Sequence, residues 1–198
     1  MAGDISEDIL DRARAHYGSR IDLRLIDART LPFPDASLDV VLIFEALYYV
    51  PDAAAFVAEC RRVLRPSGYV LVASANKDLS DFNASPYSHV YHGVVELRTL
   101  FDQAGFSTAF FGDVPVNRIS LRQRVLRPLK RAAVALNLMP KSMRGKRLLK
   151  RLVFGAMTRF PAEITDSMVA ALPRLATLDA ARPDRDHKVV LCAAQKAA

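Results

Sequence analysis

The sequence predicts an α/β fold, a doubly wound sheet of mostly parallel strands, and three observations predict it. Short runs rich in Val, Ile and Leu recur at 21–28, 38–45 and 69–75, as strands buried on both faces require. Segments with apolar residues at helical spacing alternate with those runs. A composition of 51% hydrophobic and 25% charged residues over 198 positions is that of one folded domain, and excludes a disordered or membrane-spanning chain.

Taken in order, Ser6 followed by Glu7 and Asp8 starts a helix whose buried side is Ile9, Leu10 and Ala13 and which reaches about Tyr17, so the chain is expected to open on a helix. Ile21 to Ala28 and Leu38 to Glu45 read as strands. Asp52 caps a helix with Phe56, Val57, Cys60, Val63 and Leu64 on one face, and Arg61, Arg62 and Arg65 stand at its negative end. Pro66-Ser67-Gly68 stops that helix, and Tyr69 to Ala75 is a third buried strand. After an irregular polar stretch, Val94, Leu97, Phe101 and Ala104 mark a helix ending at Gly105. Phe106 to Phe111 and Lys188 to Ala194 complete the strands. Cys60 and Cys192 lie far apart in apolar runs and offer neither a disulfide framework nor a paired-cysteine metal site, so no metal is expected.

The net charge of +7 conceals two unlike parts. Residues 114–162 hold 13 Lys and Arg and no acid, which leaves 15 basic against 21 acidic residues elsewhere: a body at −6 carries a segment at +13. Within the segment, Leu121, Val125, Leu129, Ala132 and Leu136 share one helical face, and Leu149, Leu152, Val153, Ala156 and Phe160 another, with a break near 137–140. Three readings stay open for it: a lid packed over the mouth of a site, contact of residues 118–160 with an anionic membrane surface, and, least favoured for want of interleaved aromatics, nucleic acid. No run of about 18 apolar residues occurs, and Met-Ala-Gly-Asp lacks the pattern of an export signal, so the expected location is the cytoplasm, peripheral to the membrane if the basic helices touch lipid.

Right-handed crossovers place the carboxyl ends of parallel strands on one edge, where ligands bind. There the sequence resembles the class I S-adenosylmethionine-dependent methyltransferases of small-molecule type, over about residues 3–112. Asp27 to Val41, DARTLPFPDASLDVV, carries the most specific part, and Arg61 to Val72, RRVLRPSGYVLV, agrees at the expected distance. The resemblance implies a Rossmann-like core of residues 1–113 and 186–198 with a basic helical insertion at 114–185. It implies S-adenosylmethionine as cofactor: Asp4, with Ile5 beside it, meeting the ribose hydroxyls; Asp27 and Ala28 beside the adenine with Leu31 over the ring; Phe44 and Glu45 near the methionine part and its sulfonium. Each has a plainer alternative. Asp4 is also an ordinary residue before a helix, Asp27 a loop cap, Glu45 a partner for a neighbour, and Tyr48 and Tyr49 are packing residues.

The family's glycine-rich turn, roughly D-x-G-C-G-x-G, has no counterpart in this sequence, and the strand before it is missing too. The expectation is an N-terminally incomplete core whose flanking strands either close up or leave backbone groups unpaired. The acceptor is expected against Lys77 to His92. Methyl transfer chiefly needs alignment, plus a base where a hydroxyl must lose its proton, and His89 and His92 are the candidates for that base, whereas His16 and His187 are read as solvated polar residues. The functional expectation is methyl transfer to a small-molecule or lipid-linked acceptor. The alternative is a non-catalytic module that binds a membrane surface or partner through the basic helices.

Overall fold

The computed structural model describes residues 1–116, 165, 168 and 174–198. Both basic helical segments therefore lie outside the described residues, as does most of the 114–185 insertion. The rest alternates strand and helix: β1 (Ala2–Asp4), α1 (Glu7–Tyr17), β2 (Leu23–Leu25), β3 (Leu38–Phe44), α2 (Ala53–Val63), β4 (Leu64–Ala75), α3 (Val94–Gln103), β5 (Phe106–Pro115), β6 (Ala176–Thr177) and β7 (His187–Lys196). Single-turn 3-10 helices stand at Gly18–Arg20 and Leu47–Tyr49.

The α/β class is as the sequence predicts, but the sheet is mixed and divided. β1 and β2 form a parallel pair by themselves, and the larger sheet runs β3-β4-β7-β5-β6. Only β3 and β4 pair in parallel there; β7 runs against both β4 and β5, so β3, β4 and β5 share one direction. The chain opens on β1 rather than on a helix. Three residues, Ala-Gly-Asp, carry no periodicity, and what makes them a strand is their register with Leu23–Leu25. Gly3 is needed there, because a Cβ would stand 2.6 Å from Ile26 Cδ1.

The helices have local causes. Asp52 accepts from Ala55 N at 2.9 Å and caps α2. Arg61 reaches across to the carboxyl end of α3, donating to Ala104 O (2.8 Å) and Gly105 O (3.1 Å). Gly105, at φ +75°, makes the left-handed turn that a side chain would strain. In α1 only Leu10 is buried, while Ile9 stays exposed, contrary to the expected buried face. The Pro66-Ser67-Gly68 signal marks a bulge: Leu38 pairs with Leu64 and Val40 with Tyr69, and Ser67 adopts φ +63° within a strand that starts at Leu64.

One face of the large sheet is covered. Phe56, Val57 and Cys60 of α2 and Val94, Leu97 and Phe101 of α3 pack with Val70, Val72, Phe106, Phe110, Val190, Cys192 and Ala194. Burial pushes both thiols up, that of Cys192 to about 12, so they are inert core groups. On the other face Val40, Leu42 and Phe44 remain 48%, 60% and 59% exposed, and β3 has no strand partner on its outer edge among the described residues. Between the two foreseen outcomes for the flanking strands, the chain leaves them apart: β3 does not pair with the β1–β2 ribbon.

Candidate active site

Most of the sequence-derived positions fall at the carboxyl ends of strands in two separate sheets, Asp4 and Asp27 on the β1–β2 pair and Phe44 and Glu45 on β3 of the larger sheet. Asp4 ends β1 in register with Leu25, and Ile26 N donates to Asp4 O at 3.0 Å. Asp27 lies two residues beyond Leu25, so interstrand spacing and rise put the two aspartate backbones roughly 8 Å apart on one edge. Asp4 Oδ1 accepts from Ser6 N at 2.8 Å, which turns the chain into α1; Oδ2 has no partner among the described residues. Ile5 beside it is exposed.

Asp27 is differently placed. Arg29 grips its carboxylate through Nε (3.1 and 3.2 Å) and Nη2 (2.7 Å), and the Arg29 backbone N–H adds a further bond at 2.9 Å. The Arg29 side-chain bonds hold the Asp27 carboxyl well below the usual carboxylate range, at about 2. Ala28 packs against the core, and Leu31 is buried within it, its N–H donating to Glu59 Oε2 (2.8 Å) and its carbonyl accepting from Arg62 Nη2 (2.9 Å). The LPFPD turn is thus clamped onto α2 by a Glu59–Arg62 pair that also reaches Phe33 O and Asp35. Arg29 is the residue missed here, and the signal was an Arg two positions after an Asp.

At the end of β3, Phe44 is exposed and Glu45 takes φ +52°, a left-handed conformation disfavoured for a residue with a Cβ. Glu45 N donates to Ala73 O at 2.7 Å, and its carboxylate Oε2 accepts from the Tyr48 hydroxyl at 3.0 Å. Burial, then the Glu45 bond, pushes the Tyr48 phenol above its ordinary value. Tyr48 stacks on Tyr91 at 4.2 Å, and Phe82 meets Tyr91 edge-on at 4.7 Å. His89 N donates to Tyr48 O at 2.8 Å, so residues 77–92 are tied to the carboxyl end of β3 while the His89 ring faces solvent. The aromatic wall was legible only as residue types, because the stack joins residues 43 apart in sequence.

His92 is half-buried at the start of α3. Its Nδ1 is buried without a hydrogen-bond partner, and desolvation lowers its affinity for a proton. His187 is not the solvated residue expected: it stands in β7 with Nδ1 3.1 Å from Asp184 Oδ1. His16 lies exposed on α1.

Comparison with known proteins finds partial similarity to methyltransferases. A methyltransferase-domain profile matches residues 1–72. A Mycolicibacterium smegmatis protein named "Probable S-adenosylmethionine-dependent methyltransferase" is 38% identical over 107 residues, which are 52% of this chain and 41% of that protein. A ubiquinone biosynthesis O-methyltransferase of Sinorhizobium medicae is 35% identical over 82 residues, 40% of this chain and 33% of its own. The matched part thus spans less than half the length of these relatives. In fold, a crystal structure of a SAM-dependent methyltransferase from Thermotoga maritima superposes on 98% of this chain and 72% of its own, with a TM-score of 0.58 at 15% identity. In its N-terminal sequence the chain is similar to S-adenosylmethionine-dependent methyltransferases, and in architecture it shares their α/β fold.

Proposed function

We propose that the chain binds S-adenosylmethionine at the carboxyl ends of β1, β2 and β3, and that an oxygen of a small-molecule or lipid-linked acceptor receives the methyl group. The observation that carries this reading is the strained backbone of Glu45, which holds a carboxylate at the strand end beside the Tyr48 hydroxyl. The donor set fits the nucleoside half of the cofactor. Asp4 Oδ2 is an unused acceptor suited to a ribose hydroxyl, and Asp27, with Arg29 bound to it, lines the adjacent strand end. When bound, the cofactor supplies a methyl group on a sulfonium centre; Glu45 favours positive charge near it, and the Tyr48–Tyr91–Phe82 wall offers a flat apolar surface to the acceptor. The name of the Sinorhizobium relative supports oxygen as the atom methylated. His89, exposed beside that wall, and His92 are the proton acceptors first in line by position. No helix of the described residues is long and apolar enough to cross a membrane.

Calorimetric titration with S-adenosylhomocysteine tests the reading. A saturable heat is expected, and Asp4→Asn should weaken binding about ten-fold, or about 1.4 kcal/mol. A folded chain that gives no heat overturns it.

A further inference from the structure

Where the carboxyl end of β4 meets the start of β7 lies a buried polar cluster that the methyltransferase reading does not use. Asp184 is 8% exposed and its carboxylate collects four donors: Asn76 Nδ2 (2.9 Å) and His187 N (3.1 Å) on Oδ2, and Asp186 N (3.2 Å) and His187 Nδ1 (3.1 Å) on Oδ1. A carboxylate met by donors on every side is an acceptor only, so Nδ1 of His187 carries its hydrogen and the lone pair sits on Nε2. Among the described residues the buried side-chain nitrogens and oxygens without a partner are Asp78 Oδ2 and His92 Nδ1. His187 Nε2, which has no partner, is therefore open to solvent although the side chain is 14% exposed.

The ring is seated by construction. Gly112 of β5 leaves the space it fills, since a Cβ there would stand 2.4 Å from His187 Cγ and Nδ1. Asn76, 1% exposed, donates to both His187 O and Asp184 O at 2.9 Å and accepts from Asp78 N at 3.0 Å, which fixes the pair to the first residues of the 77–92 segment. Among the described residues no other histidine has a carboxylate on a ring nitrogen.

We propose that Asp184 and His187 form an oriented proton-accepting pair that binds an acidic, phenol-like hydroxyl through His187 Nε2. This rests on the proposed reading, in that the hydroxyl is that of the acceptor. In the step itself the O–H bond breaks and an N–H bond forms at Nε2. The electron pair stays on oxygen, and the imidazolium's charge faces Asp184, which is not itself protonated. The class of hydroxyl follows from matching: an aliphatic alcohol gives up its proton to imidazole only as it attacks, whereas a phenol, near 10 in tyrosine and lower with electron-withdrawing substituents, is acidic enough to share its proton before any methyl moves.

The chromogenic phenol 4-nitrophenol tests this on the whole chain without cofactor, at a pH where the free compound is mostly protonated. Saturating the protein should raise the phenolate absorbance, with at least a ten-fold smaller rise for His187→Gln and an intermediate one for Asp184→Asn. No rise with the wild type, or the same rise with His187→Gln, overturns the proposal. The nitrogen-15 spectrum of the unsubstituted chain gives a check free of folding effects: the neutral His187 ring should be the Nδ1–H tautomer, and the Nε2–H tautomer would refute the pair. A chain that binds S-adenosylhomocysteine but fails both tests loses this inference and keeps the transferase reading; one that passes them without binding S-adenosylhomocysteine loses the transferase reading.

Discussion

Asn76→Ala removes the amide that ties the end of β4 to the start of β7. Its Nδ2 donates at 2.9 Å to Asp184 O, Asp184 Oδ2 and His187 O, and its Oδ1 accepts from Asp78 N at 3.0 Å. The carboxylate keeps three donors after the change, so its charge stays compensated, and the cost falls on two carbonyls and one N–H. At 1% exposure water cannot replace these bonds without opening the cluster. Each buried group left unsatisfied costs about 1–3 kcal/mol, and partial relaxation brings the sum to about 3 kcal/mol. For a domain of this size that is roughly 6–12 °C in Tm. Asn76→Asp should be worse at pH 7, because a second carboxylate then stands against Asp184 Oδ2, and should recover part of the loss at pH 5, where one of the two can protonate. Paired thermal and guanidinium melts read both. A shift below 2 °C for Asn76→Ala, or an aspartate variant as stable as the alanine one at pH 7, would refute the reasoning.

Further outcomes follow from other parts of the fold. Phe101, fully buried and edge-on to Phe106 at 5.5 Å, should cost about 3–5 kcal/mol when cut to alanine, measured by guanidinium unfolding. The Asp27 carboxyl should titrate near 2 by carbon-13 NMR, and Arg29→Gln should return it towards its ordinary value. A depressed carboxyl contributes stability above its unfolded pKa near 3.8, lost as pH falls towards 2, so Arg29→Gln should flatten the acid limb of the stability curve in that window. His92 has the opposite chemistry but the same direction. Burial disfavours its charged form, so stability should drop as pH falls below about 6.5, and His92→Leu should lessen that drop in urea melts at pH 7 and 5.

Local periodicity accounts for most of what the sequence disclosed. α2 and α3 were legible from the spacing of Phe56, Val57, Cys60 and of Val94, Leu97, Phe101, and β4, β5 and β7 from unbroken apolar runs, because those residues face the core. β1 and the direction of β7 were not, since pairing is a long-range fact: nothing within Lys188 to Ala194 says that it lies against Val70 rather than along it. The Pro66-Ser67-Gly68 signal was read as a stop and is a bulge, the same turn chemistry used inside a strand. At the site, Asp4, Asp27 and Glu45 were named by motif; Asp4 and Asp27 stand at the ends of the paired strands β1 and β2, and Glu45 at the end of β3 in the separate larger sheet. His187 was passed over because its partners are Asp184, three residues away in a loop, and Asn76, more than a hundred residues upstream.

The bare flank of β3 also sets how copies of the molecule treat one another in solution. The outer edge of β3, which has no strand partner among the described residues, forms with the exposed Val40, Leu42 and Phe44 an adhesive strip, and a net charge of +7 is the long-range force that holds such strips apart. At about 0.15 M salt that repulsion reaches only about 8 Å. Salt should therefore promote clumping rather than dissolve it, visible as light scattering that grows with ionic strength and that Leu42→Lys abolishes.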